Sequence, residues 1–257
     1  MVRGFYTAAS GLLTQQKRLN TYSDNIANVG TAGYKKDNLV TGTFGEHLMN
    51  RMNSYSTSTL HPIGPSVYGQ NVADSYTDYT QGSLESTGRH LDAAISGAGF
   101  FVVNVGDEER LTRNGQFTLD EEGYLALQGL GRVQGESGDI QLTSGEITIS
   151  RDGTVFLPPE EEGDDYTEVG RLRLVLPVDY DAMRKTTDGT YISPEFAQLE
   201  EGYPTDILQF SREKSNVDLG EEMTRLISSQ RSLQSASQIV KMYDQLNEKT
   251  NSQIGRV

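Results

Sequence analysis

Three histidines are the side chains of this 257-residue chain best suited to bind a metal ion or to exchange protons near neutral pH. His47, His61 and His90 stand far apart, in segments whose composition predicts loop or extended backbone. A histidine metal centre needs closely placed ligands and partners that orient the imidazole rings. We therefore expect three separate surface histidines and no metal site.

A short segment with two glycines, Gly97-Ala98-Gly99 before Phe100, superficially resembles a phosphate-binding loop. It lacks a third glycine, and it opens a predicted strand, whereas such loops work through the dipole at a helix N-terminus. We interpret the segment as a tight turn that allows close backbone approach.

An acidic run in the second half of the chain is the remaining candidate for ion binding. Its carboxylates lack the alternating spacing and the closing glutamate of a helix-loop-helix calcium site. Because blocks of like charge are usually solvated, we expect a solvated loop. The run consists of Glu160, Glu161, Glu162, Asp164, Asp165 and Glu168.

Cysteine is absent, which excludes disulfides, thiolate ligands and a cysteine nucleophile. No pair of carboxylates stands in a segment that predicts an apolar cleft, where the two pKa values would separate. We predict a protein that is not an enzyme and that uses no cofactor, no metal and no small-molecule substrate.

The net charge of −14 argues against a nucleic-acid partner, which needs clustered lysine and arginine. No apolar run approaches the roughly 20 residues that cross a bilayer. Arg3, Gly4, Thr7 and Ser10 interrupt the start of the chain, which argues against a cleavable secretory signal.

The elements that remain to be explained are two amphipathic ends. Each end repeats an apolar residue every seven positions, and such a narrow stripe needs a partner helix. We predict a first helix from residue 3 to about 30 and a second from an N-cap near Asp218 to about 254. The repeats are Phe5, Leu12, Leu19 and Ile26 at the N-terminus and Leu219, Leu226, Leu233 and Val240 at the C-terminus.

Between the helices the apolar period changes to two. The pattern predicts several short strands at hairpin spacing, with one hairpin turning at Gly123. We expect an α+β fold with a central antiparallel sandwich or irregular barrel, flanked by long helices that pack as a coiled-coil-like discontinuous domain. The predicted parts are 1–35 with 215–257 as the helical domain, 36–90 as an extended connector and 91–214 as the β domain.

Specific residues in these segments resemble the bacterial flagellar rod and hook family. The block Asn25-Ile26-Ala27-Asn28-Val29 carries the resemblance most clearly, with Gly30 in a place where the family commonly has asparagine. Both residue types suit the left-handed end of a helix. The matching segments cover nearly the whole chain in order: 6–12, 25–35, 81–88, 91–95, 97–103, 112–117, 120–125, and 215–219 with Glu222, Met223, Gln230 and Arg231.

The resemblance implies a structural subunit of the flagellar basal-body rod that polymerises head-to-tail into a helical tube and transmits torque to the hook. A distal-rod subunit is favoured, with a proximal-rod subunit as the alternative. It further implies export by the flagellar type III apparatus, location in the basal body within the cell envelope, and other rod and hook subunits as partners. Ring or cell-wall components are further candidates.

Two readings from other classes stay open. A wall- or glycan-binding β module with helical oligomerisation ends would need an exposed aromatic platform, and tryptophan is absent. A glycan hydrolase fused to the rod would need a carboxylate pair and an extra domain, for which the chain has little room.

The assembly contacts that we predict are the eight repeat residues together with Asn25 and Asn28. The two asparagines would fix helix register or cap a helix end. An ordinary helical hairpin within one chain is the alternative for the repeat residues. We expect Lys35 and Lys36 to be solvated or to contact an acidic neighbouring surface, and we expect the helical ends to be largely disordered before assembly.

Overall fold

The structure is a computed structural model that describes residues 2–51, 61–106, 108–159, 165–198 and 205–254. Two long helices, α1 Val2–Ala27 and α2 Leu219–Ile254, bracket nineteen strands of the described chain. The strands are β1 Asp37–Arg51, β2 His61–Thr77, β3 Leu84–Ser86, β4 Ala93–Ser96, β5 Phe100–Val105, β6 Glu108–Thr112, β7 Phe117–Leu119, β8 Leu125–Leu127, β9 Gly131–Gly135, β10 Gly138–Asp139, β11 Thr148–Ile149, β12 Thr154–Leu157, β13 Thr167–Arg171, β14 Leu174–Pro177, β15 Arg184–Lys185, β16 Tyr191–Ile192, β17 Phe196–Gln198, β18 Asp206–Gln209 and β19 Ser211–Glu213.

The described chain divides into two compact units. The helical unit contains α1, the two-stranded sheet β1–β2 and α2, and the β unit contains residues 28–36 and 77–217. Terminal helices on either side of a central antiparallel β region confirm the predicted α+β class. The segment predicted as an extended connector supplies β1 and β2, and residues 52–60 between them lie outside the described residues.

The helix ends follow the residue types that the sequence offers. Asp218 caps α2 because its Oδ1 accepts the backbone N–H groups of Gly220 at 2.8 Å and Glu221 at 3.1 Å. Glu221 and Glu222 then lie in the first turn, where the helix dipole favours negative charge. The first helix ends at Ala27, earlier than predicted, because the chain turns at Asn28, whose carbonyl accepts the N–H of Thr31.

The β unit is built on a ten-stranded sheet with the order β15-β16-β6-β5-β9-β8-β7, to which β10, β14 and β17 attach. The predicted hairpin is confirmed, since β7 pairs antiparallel with β8 and Leu119 faces Leu125. Gly123 occupies its turn at a φ of 82°, a left-handed conformation that glycine adopts without strain. Asp120 closes the turn by accepting the backbone N–H groups of Glu122 and Tyr124 at 3.0 and 2.7 Å.

The core of the β unit lies on both faces of the central strand β5. Phe101 and Val103 point into the larger apolar cluster, and Phe100 and Val102 point into the smaller one. A strand that is buried on both faces reads as a continuous apolar run, which is the pattern of residues 100–103 in the sequence. The consecutive strands β18 and β19, separated by Phe210, have different partners. Strand β18 pairs with β4, and β19 pairs with β3.

Candidate assembly site

The two terminal helices lie side by side and run in opposite directions. Near one end Gly4 lies against the phenol of Tyr243, and in the middle the Ser229 hydroxyl donates to Gln15 Oε1 at 2.8 Å. The chain therefore contains the intramolecular helix pair that the sequence left as an alternative to contacts between copies.

That pair buries polar side chains and leaves its apolar residues partly exposed. The side chains excluded from solvent are Thr14, Asn25, Glu222 and Ser229. Among the described side chains of α1 and α2, no apolar residue is fully buried. The predicted contact residues Phe5, Leu12, Leu19, Ile26, Leu226, Leu233 and Val240 are half-buried, and Leu219 is 43% exposed. The two helices therefore do not form a complete apolar core by themselves.

Asn25 connects three elements of the helical unit. Its side-chain amide donates to Glu222 Oε2 on α2 at 3.1 Å and to the Asp37 carbonyl at the start of β1 at 3.0 Å. Its Oδ1 accepts the N–H of Asp37 at 3.0 Å. Because Asn25 and Glu222 are both buried, this bridge sets the register of α1 against α2.

Asn28 has a different position from Asn25. It belongs to the β unit, it is half-buried, and its Oδ1 accepts the hydroxyl of Thr31 at 3.2 Å. The side chain therefore supports the turn that follows α1.

The solvent side of α2 carries a second row of apolar residues, which we call the outer stripe. Its members are 42% to 54% exposed, and most follow one another at intervals of three or four residues. Small side chains between Ile227 and Ile239 leave an open groove of about 650 Å³, and Arg231 lies along it. The outer stripe consists of Met223, Ile227, Ile239, Met242 and Leu246.

The charge of the chain is distributed unevenly. Three basic residues against Asp24 give α1 a formal charge of +2, and the four basic and four acidic residues of α2 cancel. The two helices together carry +2, so the rest of the chain carries −16 and the whole chain −14. The surface of the helices therefore meets less like-charge repulsion from a second copy than the rest of the chain does.

A cluster of three buried charges in the β unit was not predicted. Lys35 Nζ donates to Glu213 Oε1 at 2.5 Å and to the Thr80 carbonyl at 2.7 Å, and Arg113 reaches Glu213 Oε2 at 3.3 Å. We call Lys35, Arg113 and Glu213 the junction triad. The expectation of a solvated Lys35 or a contact with a neighbouring surface is wrong, since its side chain is completely buried. Lys36 is partly exposed and pairs with Asp78 at 3.6 Å.

Electrostatics of the junction triad follow from burial. Loss of hydration lowers the pKa of the Lys35 ammonium and of the Arg113 guanidinium, and the Glu213 carboxylate opposes that change in both. Arg113 also donates to the Gly97 carbonyl at 3.0 Å and lies over the ring of Phe100 at 5.0 Å. The cations are thus held by one carboxylate and by backbone oxygens.

Asn216 fastens the same region of the β unit. Its amide nitrogen donates to the carbonyls of Asp78 and Thr80 at 2.8 and 3.2 Å, and its Oδ1 accepts the N–H of Lys36 at 2.8 Å. Three chain segments that adjoin α1, β2 and α2 in sequence are therefore joined within this unit.

Metal binding and membrane crossing are the other functions to consider for the described residues. They contain no group of histidine and acidic residues that would hold a metal ion, and none of their helices is long and apolar enough to cross a membrane. His90 is exposed and packs edge-on against Phe210. The side chains of His47 and His61, and residues 160–164 of the acidic run, lie outside the described residues.

A helix pair with an unfinished apolar core is typical of a subunit that packs against other chains in an assembly. Family comparisons agree over three segments. Residues 5–35 match the flagella basal body rod protein family, 94–157 the flagellar hook protein FlgE/F/G D1 domain, and 209–253 the flagellar basal body rod FlgEFG protein C-terminal family.

Full-length relatives point to the same family. The chain is 30% identical to the flagellar basal-body rod protein FlgF of Caulobacter vibrioides over 100% of this chain and 98% of the relative. It is 29% identical to the flagellar basal-body rod protein FlgG of Bacillus subtilis, over 96% and 97%. It is 27% identical to the flagellar hook-basal body complex protein FlhO of Bacillus subtilis, over 100% of both.

The chain belongs to the flagellar basal-body rod protein family. It is a structural subunit of the flagellar basal body and not an enzyme, and it assembles there with other rod and hook subunits.

Proposed function

We propose that this protein polymerises head-to-tail into a helical tube, with α1 and α2 as the assembly surfaces, and that the tube transmits torque to the hook. The observation that carries the proposal is the absence of a fully buried apolar side chain among the described residues of the helix pair. Helices of this kind gain most of their stability from packing, so the missing partners come from neighbouring copies.

The two outward faces differ, which favours an open polymer over a closed dimer. The outer stripe of α2 has apolar residues on both sides of its groove, Met223 and Ile227 before it and Ile239, Met242 and Leu246 after it. The helix α1 instead exposes Tyr6 and Leu13, at 64% and 62%. When one face of a subunit binds a different face of the next, the contact does not close on itself and a helical polymer results.

Within the rod we propose the distal position, with the proximal position as the alternative. Relatives named FlgF and FlgG are 30% and 29% identical, so overall identity does not separate rod subtypes. Electron microscopy of isolated basal bodies, labelled at this subunit, tests the position. Label next to the hook agrees with the distal position, and label at the opposite end of the rod contradicts it.

We further propose that the helical ends of the free monomer are largely disordered and become ordered on assembly, which suits a chain exported unfolded by the flagellar type III apparatus. Circular dichroism of the monomer, compared with a chain of residues 28–217, tests this idea. A cooperatively melting helix signal that only the full chain gives would contradict it.

The assembly surface is tested by placing charge in the outer stripe. Ile227→Asp with Ile239→Asp buries unpaired carboxylates in the proposed contact, so we expect polymers to be lost while the β unit stays folded. Gln230→Asp with Gln238→Asp adds the same charge at exposed polar positions of α2 and serves as the matched control. Normal tubes from the isoleucine variant, seen by sedimentation and electron microscopy, would contradict the proposal.

A glycan-binding β module remains the alternative function. Tyr166, Tyr180 and Phe210 are the exposed aromatics among the described residues of the β unit that would build its platform; Tyr180 packs on Tyr79 and Phe210 on His90. Retention of residues 28–217 on peptidoglycan would support this alternative, and a lack of retention would remove it.

A further inference from the structure

The junction triad brings three charged side chains together at a buried position. The side chains of Lys35 and Glu213 are 0% exposed, and that of Arg113 is 5% exposed. Glu213 Oε1 accepts a hydrogen bond from the Lys35 ammonium and another, at 2.9 Å, from the backbone N–H of Gly82. Glu213 Oε2 accepts a hydrogen bond from Arg113. The carbonyl of Glu213 accepts the N–H of Gly33 at 2.8 Å.

The members come from distant parts of the chain. Lys35 follows α1, Arg113 lies between β6 and β7, and Glu213 ends β19. Each member also falls in a different one of the three segments that match the family. Glu213 is the last of the three in sequence, so a chain that emerges from its N-terminus presents both cations long before their counter-ion.

Without Glu213, the described residues of the β unit would hold two buried cations with no carboxylate in ion-pair contact with either. Breaking a buried ion pair by removing one partner is strongly destabilising, because the remaining charge stays dehydrated and uncompensated. The backbone N–H of Gly82 would lose its acceptor as well. The loss of stability affects the whole β unit, because segments 33–36, 80–82 and 213–216 meet at the junction triad.

We infer that the junction triad is a folding lock, which withholds the stable fold of the β unit until Glu213 reaches Lys35 and Arg113. Partial chains that end before residue 213 therefore do not form a stably folded β unit. The lock rests on contacts within the β unit alone and is independent of the proposed polymerisation.

Amide hydrogen exchange of the full-length monomer tests the lock in Glu213→Gln. We expect the amides of β5, far from Glu213 in sequence, to exchange on the order of 100-fold faster than in the natural protein, because a lost buried pair weakens global folding. The matched control is Glu85→Gln, which removes a 43% exposed carboxylate that pairs with Arg212 on the same strand as Glu213. An exposed pair contributes little, so less than about threefold change is expected.

A third variant separates the charge from the shape of Glu213. Replacing the whole triad, as Lys35→Met with Arg113→Met and Glu213→Leu, removes its three buried charges together. We expect β5 exchange in this variant at least about tenfold slower than in Glu213→Gln, even where Glu213→Gln alone fails to fold. Equal exchange in the two variants would overturn the lock, as would Glu213→Gln with faster exchange only at Gly33 and Gly82.

The order of events is tested by pulse-labelling exchange during refolding of the natural full chain. Gly33 and Gly82 report on Glu213, since their N–H groups donate to it. The lock predicts that these two amides and those of β5 gain protection in the same kinetic phase. Protection of β5 in an earlier phase than Gly33 and Gly82 would contradict the inference.

Discussion

Asn25 on α1 donates a hydrogen bond to Glu222 on α2 over 3.1 Å, and both side chains are buried. The two residues are 197 positions apart, and Asn25 also binds both backbone polar groups of Asp37. One amide thus sets the register between the terminal helices and the position of the first strand.

Removal of that amide gives the first prediction. Asn25→Ala removes the hydrogen bonds that this amide makes with the buried Glu222 carboxylate and with the Asp37 backbone, and we expect a loss of about 2–4 kcal/mol per subunit. Denaturant-driven disassembly of the polymer measures the loss. The control Asn28→Ala removes an acceptor of the Thr31 hydroxyl and should cost less than about 1 kcal/mol. Equal effects at both positions would refute the register role of Asn25.

Gly33 carries the second prediction, because its backbone packs directly on that of Arg113 and Asn114 at a φ of 68°. Gly33→Ala combines left-handed strain with a clash against main-chain atoms, so we expect a loss of more than about 3 kcal/mol in urea unfolding followed by tyrosine fluorescence. Gly30→Ala is the matched control, because nothing lies within 4 Å of the added Cβ. A Gly33 variant as stable as the Gly30 variant would show that this packing is not needed.

Domain boundaries give the third prediction. A chain of residues 28–217 keeps Lys35, Glu213 and Asn216 together, and we expect it to melt cooperatively by circular dichroism. A chain of residues 36–214 follows the boundaries that the sequence suggests, but it lacks Lys35 and Asn216. We expect its melting temperature to be lower by at least about 10 °C, since both the buried pair and the backbone bonds of Asn216 are lost. Equal melting temperatures would contradict the proposed role of residues 28–36.

Acid sensitivity of the hairpin gives the fourth prediction. Backbone N–H bonds from Tyr124 and Glu122, aided by Arg132, lower the pKa of Asp120 below its ordinary value of 3.8. A carboxyl whose pKa is lower in the folded state stabilises fully above its unfolded pKa and loses this effect as pH falls through the folded pKa. The free energy of unfolding should therefore fall below pH about 4, and less steeply in Asp120→Asn. Glu121→Gln, at the exposed neighbour, should keep the natural slope; a natural slope in Asp120→Asn would contradict the assignment.

The sequence predicted what local pattern encodes. The seven-residue repeats indicated both helices, and alternation with glycine turns indicated the β7–β8 hairpin and the buried strand β5. It did not reveal the junction triad, because Lys35 and Glu213 are 178 residues apart and only the folded topology brings them together. Nor did it separate the outer stripe from the residues that face α1, since both recur at helical spacing along α2.

Chemical accessibility of the outer stripe tests the central claim most directly. The natural chain has no cysteine, so Ile239→Cys introduces a single thiol that a maleimide can label without background. Val178→Cys, at a β-unit position that is 66% exposed, is the control. If the helices form the assembly surface, the thiol at position 239 is labelled in the monomer and protected in the assembled rod, and the control is labelled in both. Equal labelling at position 239 in rod and monomer would contradict the account.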